Sequence, residues 1–446
     1  MKVSSLLKRT QFVVKPKVLT VPAVNWQGPC QLPPSFLVDR IDAKDKLGDA
    51  PRVYIFNPAN DSKTSLYMPL DFDLLVTRSA AKDEAINKFH EYELSSAWFE
   101  KYFEIGSDPE IFVEDENGKV VPAFNFLGSK EKPDATMPRH TAGVGDIGSK
   151  PMYWDGFQGE FVTHPDNCLS WQVDSVQCGL DAMLKKAKAF NPLAKLSIKT
   201  TMDVSQEQLN AATPEQVQFG CMPSFNVYGL TGAAIPGREC DFRSAGGHNH
   251  FGVGKKSPEA ISAMVKALDA ILGVACVSLF ASFDNPKRRV MYGLPGEYRL
   301  PPHGLEYRTL SNAWIFHPMI MHLVFDMSRK ILVFGEKGLM KFWEATEKET
   351  IDCIRNCDVA KAREILSREK NKRVMFKLLR DCYGWTGEKQ LKLFNVFLEG
   401  MESIISNPAD IAGNWMLNDK WTAHSDHKDK SVRYAIDTIV KGLKVA

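Results

Sequence analysis

The chain has 446 residues, 44% of them hydrophobic and 25% charged, so it is long enough to bury a large core. Lys and Arg number 56 against 54 acidic residues, and a net charge of +2 excludes a general polyanion-binding surface. Nine cysteines make no CxxC pair and no disulfide framework, which points to a reducing, cytoplasmic setting, and ILGVACVSLFA, the longest apolar run, falls short of a membrane span.

Residues 1–98 read as an appended β-rich subdomain. QFVVKPKVLTV, PRVYIFN and SLYMPLDFDLLVT are strand-like pieces joined by Pro-rich connections, and SAAKDEAINKFHEYEL is a helical stretch leading onward. Lys2, Lys8, Arg9, Lys15 and Lys17 form a basic surface arm or edge strand, without the apolar block of a signal peptide. Residues 99–318 alternate β-runs, Gly-rich loops and helices, and form the chemical part. One helix there is legible in detail. Ser257 supplies an N-cap, Pro258 the first turn and Glu259 a carboxylate at the positive end, while Ile261, Met264, Val265, Leu268, Ile271, Leu272 and Ala275 repeat at helical period. Asp269 interrupts that stripe and reads as solvent-facing or capping. From 319 to 446 helical periodicity takes over in PMIMHLVFDMSRKILVFG, GLMKFWEATEKETIDCIRN, VAKAREILSREK and EKQLKLFNVFLEGMESIIS. Cys353 and Cys357 read as ordinary helix residues, and His424 and His427 in TAHSDHKDK as exposed loop.

Three β-runs in the central part carry polar pairs two positions apart: Asp108 and Glu110 in EIGSDPEIFVED, His248 and His250 in GGHNHFGVG, Glu306 and Arg308 in HGLEYRTLSN. On a strand that spacing puts both side chains on one face. Buried unpaired charge is too costly to be kept for packing, so such groups must neutralise one another or bind something, and a divalent metal with phosphate suits both signs. Taken singly, each has a plainer reading. Asp-Pro-Glu is also a turn into a strand, Glu160 a solvent-facing strand residue, the His pair a core histidine beside a surface one, and Arg288-Arg289 a solvated basic turn. Gly246 and Gly247 serve either close backbone approach or simple turn chemistry. No GxxxxGK[ST] loop is present, so any nucleotide is held in another way.

The ordered set of motifs resembles the carboxylate–amine ligases built on the glutamine synthetase fold, and within them the phage-type amidoligases, over residues 103–312. SDPEIFVED is similar to the family's opening strand, WDGFQGEFVTHP to the strand with a further metal glutamate, RSAGGHNHFG to its Gly-His-x-His strand, and RRVMYGLPGEYRLPPHGLEYRTLSN to its closing block. The resemblance implies an α+β fold: a curved, mainly antiparallel sheet forming a funnel, with outer helices and a helical C-terminal region. It implies ATP- and Mg²⁺- or Mn²⁺-dependent amide formation between a carboxylate and an amine through an acyl phosphate. Asp108, Glu110, Glu160, His248 and Glu306 would hold metal, with Asp155 a weaker partner for Glu160. His250 would lie near nucleotide or metal, and Arg288, Arg289, Arg299 and Arg308 would bind phosphate, with Arg299, Arg308 and Glu306 closest to the chemistry.

Physical chemistry agrees with that assignment. Carboxylates facing a triphosphate repel it by about 3 kcal/mol per pair at ~5 Å and an effective dielectric near 20, so an acidic cluster there requires bridging hard cations. Arginine complements them, because its planar fork holds phosphate oxygens bidentately. Asp108 stands where relatives carry glutamate, one methylene shorter. The resemblance implies carboxylate and amine substrates, the acceptor a small molecule or a peptide or protein, with no membrane or nucleic acid partner expected and room for an oligomer. Competing readings are a phosphoryl transferase of the same fold, a metal-dependent hydrolase, and a structural or binding protein without catalysis.

Overall fold

The computed structural model describes residues 104–136, 150–165, 169–219, 224–383, 385–405, 410–415 and 417, with strands at 12–13, 19–25, 28–32, 37–47, 50–57, 62–67, 139–141 and 145–147. The basic N-terminal residues, the stretch SAAKDEAINKFHEYEL, and His424 and His427 lie outside the described residues. The chain divides into two compact units. The first comprises 1–102, 139–148 and 422–430. Its described strands form a four-stranded antiparallel sheet and two hairpins, and Val53 and Tyr54 are buried in it.

The second unit comprises 103–138, 149–421 and 431–446 and mixes helices with antiparallel sheets. Nine strands matter for the site: β1 (Ile105–Ser107), β2 (Glu110–Ile111), β3 (Asp134–Ala135), β4 (Pro151–Asp155), β5 (Gln158–Phe161), β6 (Phe225–Asn226), β7 (Asn249–Phe251), β8 (Glu297–Arg299) and β9 (Leu305–Tyr307). They divide between a five-stranded sheet, in the order β6-β8-β9-β7-β1, and a four-stranded sheet, in the order β3-β4-β5-β2. The chain passes from one to the other at Asp108-Pro109, where proline has no N–H to continue a ladder. Its carbonyl instead accepts from Phe161 N–H at 3.4 Å.

Strand alternation then sorts the side chains. In the five-stranded sheet His250 stands opposite Glu306, which stands opposite Arg299, while Asn249, Tyr307 and Tyr298 line up on the other face. In the four-stranded sheet Glu110 is opposite Glu160, which is opposite Tyr153, and Asp155 is opposite Gln158.

Helices cover the second unit: α1 (Leu169–Phe190), α2 (Pro258–Ala267), α3 (Val274–Phe280), α4 (Pro318–Glu336), α5 (Glu347–Arg355), α6 (Val359–Ser367), α7 (Glu369–Tyr383) and α8 (Glu388–Glu399). Helix α2 begins as the sequence indicates, with Ser257 Oγ accepting from Ala260 N–H at 3.2 Å. Its apolar stripe is buried, each large side chain contributing about 1.5–3 kcal/mol. Between α2 and α3 runs a π-helical segment, Leu268–Gly273, all of whose residues are buried. Asp269 therefore neither faces solvent nor caps a helix. That turn has no solvent side, and the carboxylate is accommodated by the Tyr307 hydroxyl, 2.6 Å away. The continuous helical stretch Pro258–Phe283 is long and apolar enough to cross a membrane, and 89% of its most apolar window is buried inside the fold, as in a core helix. Helix α4 packs against α1 and α2, and α6 and α8 against α3. Cys353 lies buried in α5. The six described cysteines are free thiols.

Candidate functional site

Asp108 and Glu110 straddle the junction of the two sheets, and each feeds a separate cluster. On the five-stranded side, one ligand atom each from Asp108, His250 and Glu306 lie within 4.8 Å of one another. On the four-stranded side, Glu110, Asp155 and Glu160 do the same. His250 Nε2 lies 3.1 Å from Asp108 Oδ1, and His248 Nδ1 lies 3.6 Å from Asp108 and 3.8 Å from Glu306. The His248 ring fits because residue 246 is glycine: a Cβ there would stand 2.5 Å from His248 Nε2. At Gly247 a Cβ would stand 2.2 Å from the indole nitrogen of Trp314, so close approach, not turn chemistry alone, requires both glycines.

Electrostatics mark the two clusters differently. Burial raises the Asp108 carboxyl, but the His250 charge and hydrogen bonds from His248 and His250 outweigh it and hold Asp108 well below the usual carboxylate range. His250 is correspondingly raised, Asp108 outweighing burial. The second cluster has like charges directly opposite across the ladder, a destabilising arrangement. Burial, and then the neighbouring Glu110, push Asp155 up to about 6. Glu160 is raised well above its ordinary value by burial and then by Asp108. Glu110 Oε2 is held by Gly246 N–H at 2.7 Å, Tyr292 Oη at 3.0 Å and Gln158 Nε2 at 3.3 Å, while Tyr153 Oη donates to Glu160 at 2.5 Å. Clustered buried acids of this kind suit a hard divalent cation, which would relieve both repulsion and burial.

The four arginines separate. Arg308 is buried, 2.5 Å from Glu306 Oε1 and 3.5 Å from Glu297 Oε1, and Arg299 reaches within 3.6 Å of Glu306 with a quarter of its side chain exposed. Arg288 and Arg289, expected to face phosphate, do not. Arg288 is 0% exposed and donates to the carbonyls of Ala245, Arg308, Thr309 and Leu310. Arg289 is bound to Asp284 Oδ2 at 3.0 Å and to the carbonyls of Gly293 and Thr309. Their donors are committed to backbone carbonyls at the exit of β9, which they brace.

Asp155, the weaker candidate beside Glu160, completes the second cluster from the end of the β4–β5 hairpin, where Asp-Gly reads as a turn signal. Other side chains enter that the motifs did not announce. His303 Nε2 meets His250 Nδ1 at 3.1 Å from a loop with no strand pattern. Lys130 Nζ lies 3.9 Å from Glu160 Oε2 and 5.0 Å from the Tyr153 ring centroid. Burial opposes its charge, yet Glu160, Asp155, Glu110 and Asp108 together raise it.

Acids, imidazoles and arginines gathered on two sheet faces are the equipment of an enzyme. Residues 177–417, more than half of the chain, match the family described as phage phiEco32-like COOH.NH2 ligase-type 2, and the chain belongs to that family of carboxylate–amine ligases. The match takes in His248, His250, Arg299, Glu306 and Arg308 and runs on through α4 to α8, past the limit of the motif resemblance at 312, while Asp108, Glu110 and Glu160 precede it. No curated protein matches. Among solved structures, a bifunctional glutathione synthetase from Pasteurella multocida aligns over 70% of this chain and 57% of its own, at 11% identity and a TM-score of 0.32, a likeness too distant to define the fold.

Proposed function

We propose that this carboxylate–amine ligase consumes ATP with Mg²⁺ or Mn²⁺ and forms its amide through an acyl phosphate, on a glutamine synthetase-like architecture. In this reading residues 1–98 are an appended subdomain, 99–318 the catalytic core and 319–446 the helical region beside it. The observation that carries the proposal is the pair of three-residue clusters fed by Asp108 and Glu110 from one Asp-Pro-Glu step, with Arg299 and Arg308 beside the first.

Asp108, His250 and Glu306 would hold one cation, with His248 backing them, and Glu110, Asp155 and Glu160 a second. Bound there, divalent cations would neutralise phosphate oxygens and let them approach the carboxylates. The rest is done by the chain. Arg299, a quarter of its side chain exposed beside Glu306, would meet phosphate oxygens as the substrate carboxylate attacks the terminal phosphorus and ADP leaves. Arg308, fixed between Glu297 and Glu306, would orient the Glu306 carboxylate. The amine then displaces phosphate from the acyl carbon, so the amide forms as the acyl–phosphate bond breaks.

Incubation with pools of acids and amines, ATP and Mg²⁺, followed by mass spectrometry, tests this directly. The expected result is a new species with the mass of one acid plus one amine less water, made only with ATP, together with ADP and phosphate. A phosphorylated acceptor would assign a phosphoryl transferase, and turnover without ATP a hydrolase.

A further inference from the structure

The second acid cluster has a cation of its own. Lys130 projects from a tight loop between Gly128 and Asp134, and its ammonium approaches Glu160 across the face of Tyr153. The loop is built to hold it there. Gly128 N–H donates to Asp134 Oδ2 at 2.8 Å, Trp154 N–H donates to the Gly128 carbonyl at 3.0 Å, and Asp134 pairs with Lys186 on α1. Gly128 is obligatory, since a Cβ there would fall 2.1 Å from the Lys132 carbonyl oxygen. Yet the contact with Glu160 is long, and 52% of the lysine side chain is exposed.

We propose that Lys130 is an exchangeable counter-ion: it neutralises the Glu110, Asp155 and Glu160 cluster in the metal-free protein, is displaced when a divalent cation enters, and then binds a phosphate of the nucleotide. This rests on the ATP- and metal-dependent reading above. A monovalent ammonium at 3.9 Å cannot hold three carboxylates against a divalent ion, and like charges then repel it outward. A flexible four-carbon stem lets the head swing while the loop stays fixed, and the nearest anions available to it are those the cations attract. The lysine thus keeps the empty cluster from carrying its full negative charge, and contributes to nucleotide affinity once the cluster is filled.

The test measures Mn²⁺ binding by electron paramagnetic resonance and ATP binding by calorimetry at saturating Mn²⁺, in wild type, Lys130→Ala and Lys130→Arg. Without nucleotide, Lys130→Ala should bind Mn²⁺ more tightly by about fivefold, because its competitor is gone. With Mn²⁺ saturating, the same variant should bind ATP about tenfold more weakly, and Lys130→Arg should restore most of that loss. Gly128→Ala, which dislocates the loop without touching a charge, should mimic Lys130→Ala in both measurements. Unchanged Mn²⁺ and ATP affinities in Lys130→Ala overturn the inference, as does a change in Mn²⁺ alone with ATP unaffected. A wild-type protein that binds Mn²⁺ but no ATP instead overturns the functional reading beneath it.

Discussion

Arg288 and Arg308 show how far a residue's identity determines its role. Both are buried arginines near β9 beside the Tyr292 ring, but the hydrogen bonds of Arg288 go to carbonyls while Arg308 meets two carboxylates. Replacing Arg288 with Met should therefore destabilise the fold by about 3 kcal/mol through the hydrogen bonds lost at buried carbonyls, and denaturant melts should show it, while the KM for ATP of the folded fraction stays unchanged. The sequence could place RR in a short basic turn but not reveal that the interior there is lined with carbonyls. Lys130 and His303 were invisible for a related reason: they lie in loops, where no periodicity fixes direction. His317 offers a pH test away from the clusters. Its Nδ1 accepts from Met319 N–H at 3.0 Å at the start of α4, and burial lowers its pKa to about 4. A folded-state pKa below the unfolded value of 6.5 means stability is present above 6.5 and lost as pH falls towards 4, by up to about 3 kcal/mol. Asp269 has the opposite sign. Burial raises it to about 7, so its contribution is lost as pH rises from about 4 towards 7. Thermal melts of His317→Asn should be flatter on the acid side than wild type, and those of Asp269→Asn flatter towards neutrality.

At the scale of elements, alternation made part of the site legible. Glu306 and Arg308 share a face as the two-residue spacing indicates, whereas Asp108 and Glu110 do not lie on one strand: the chain changes sheet between them and each serves a separate cluster. Which strands neighbour one another was not encoded in any single run, so the division into two sheets at Pro109 and the joining of Asp155 to Glu110 emerged only from the fold. The N-terminus of α2 was equally plain, because capping is local, whereas the π segment after it reflects packing on Tyr307 and left no periodic trace. The glycines before β7 carry a prediction at this scale. Gly246→Ala should push the His248 ring from its place and weaken Mn²⁺ binding about tenfold, read by electron paramagnetic resonance, with far-ultraviolet circular dichroism unchanged. Loss of the fold with no separable effect on metal would contradict that assignment.

For the whole molecule, the helices from Pro318 to Glu399 share one compact unit with the sheets and fall inside the family match. The central claim is that two acid clusters and an arginine pair form one site for metal and nucleotide together. The most direct measurement is thermal stability with Mg²⁺ alone, ATP alone and both, in wild type and Glu306→Ala. Wild type should be stabilised far more by the pair than by either ligand, by about 2.7 kcal/mol at roughly 100 times Kd, and Glu306→Ala should lose that joint effect. Stabilisation by Mg²⁺ with no further gain from ATP, or a joint effect that survives in Glu306→Ala, would contradict the account.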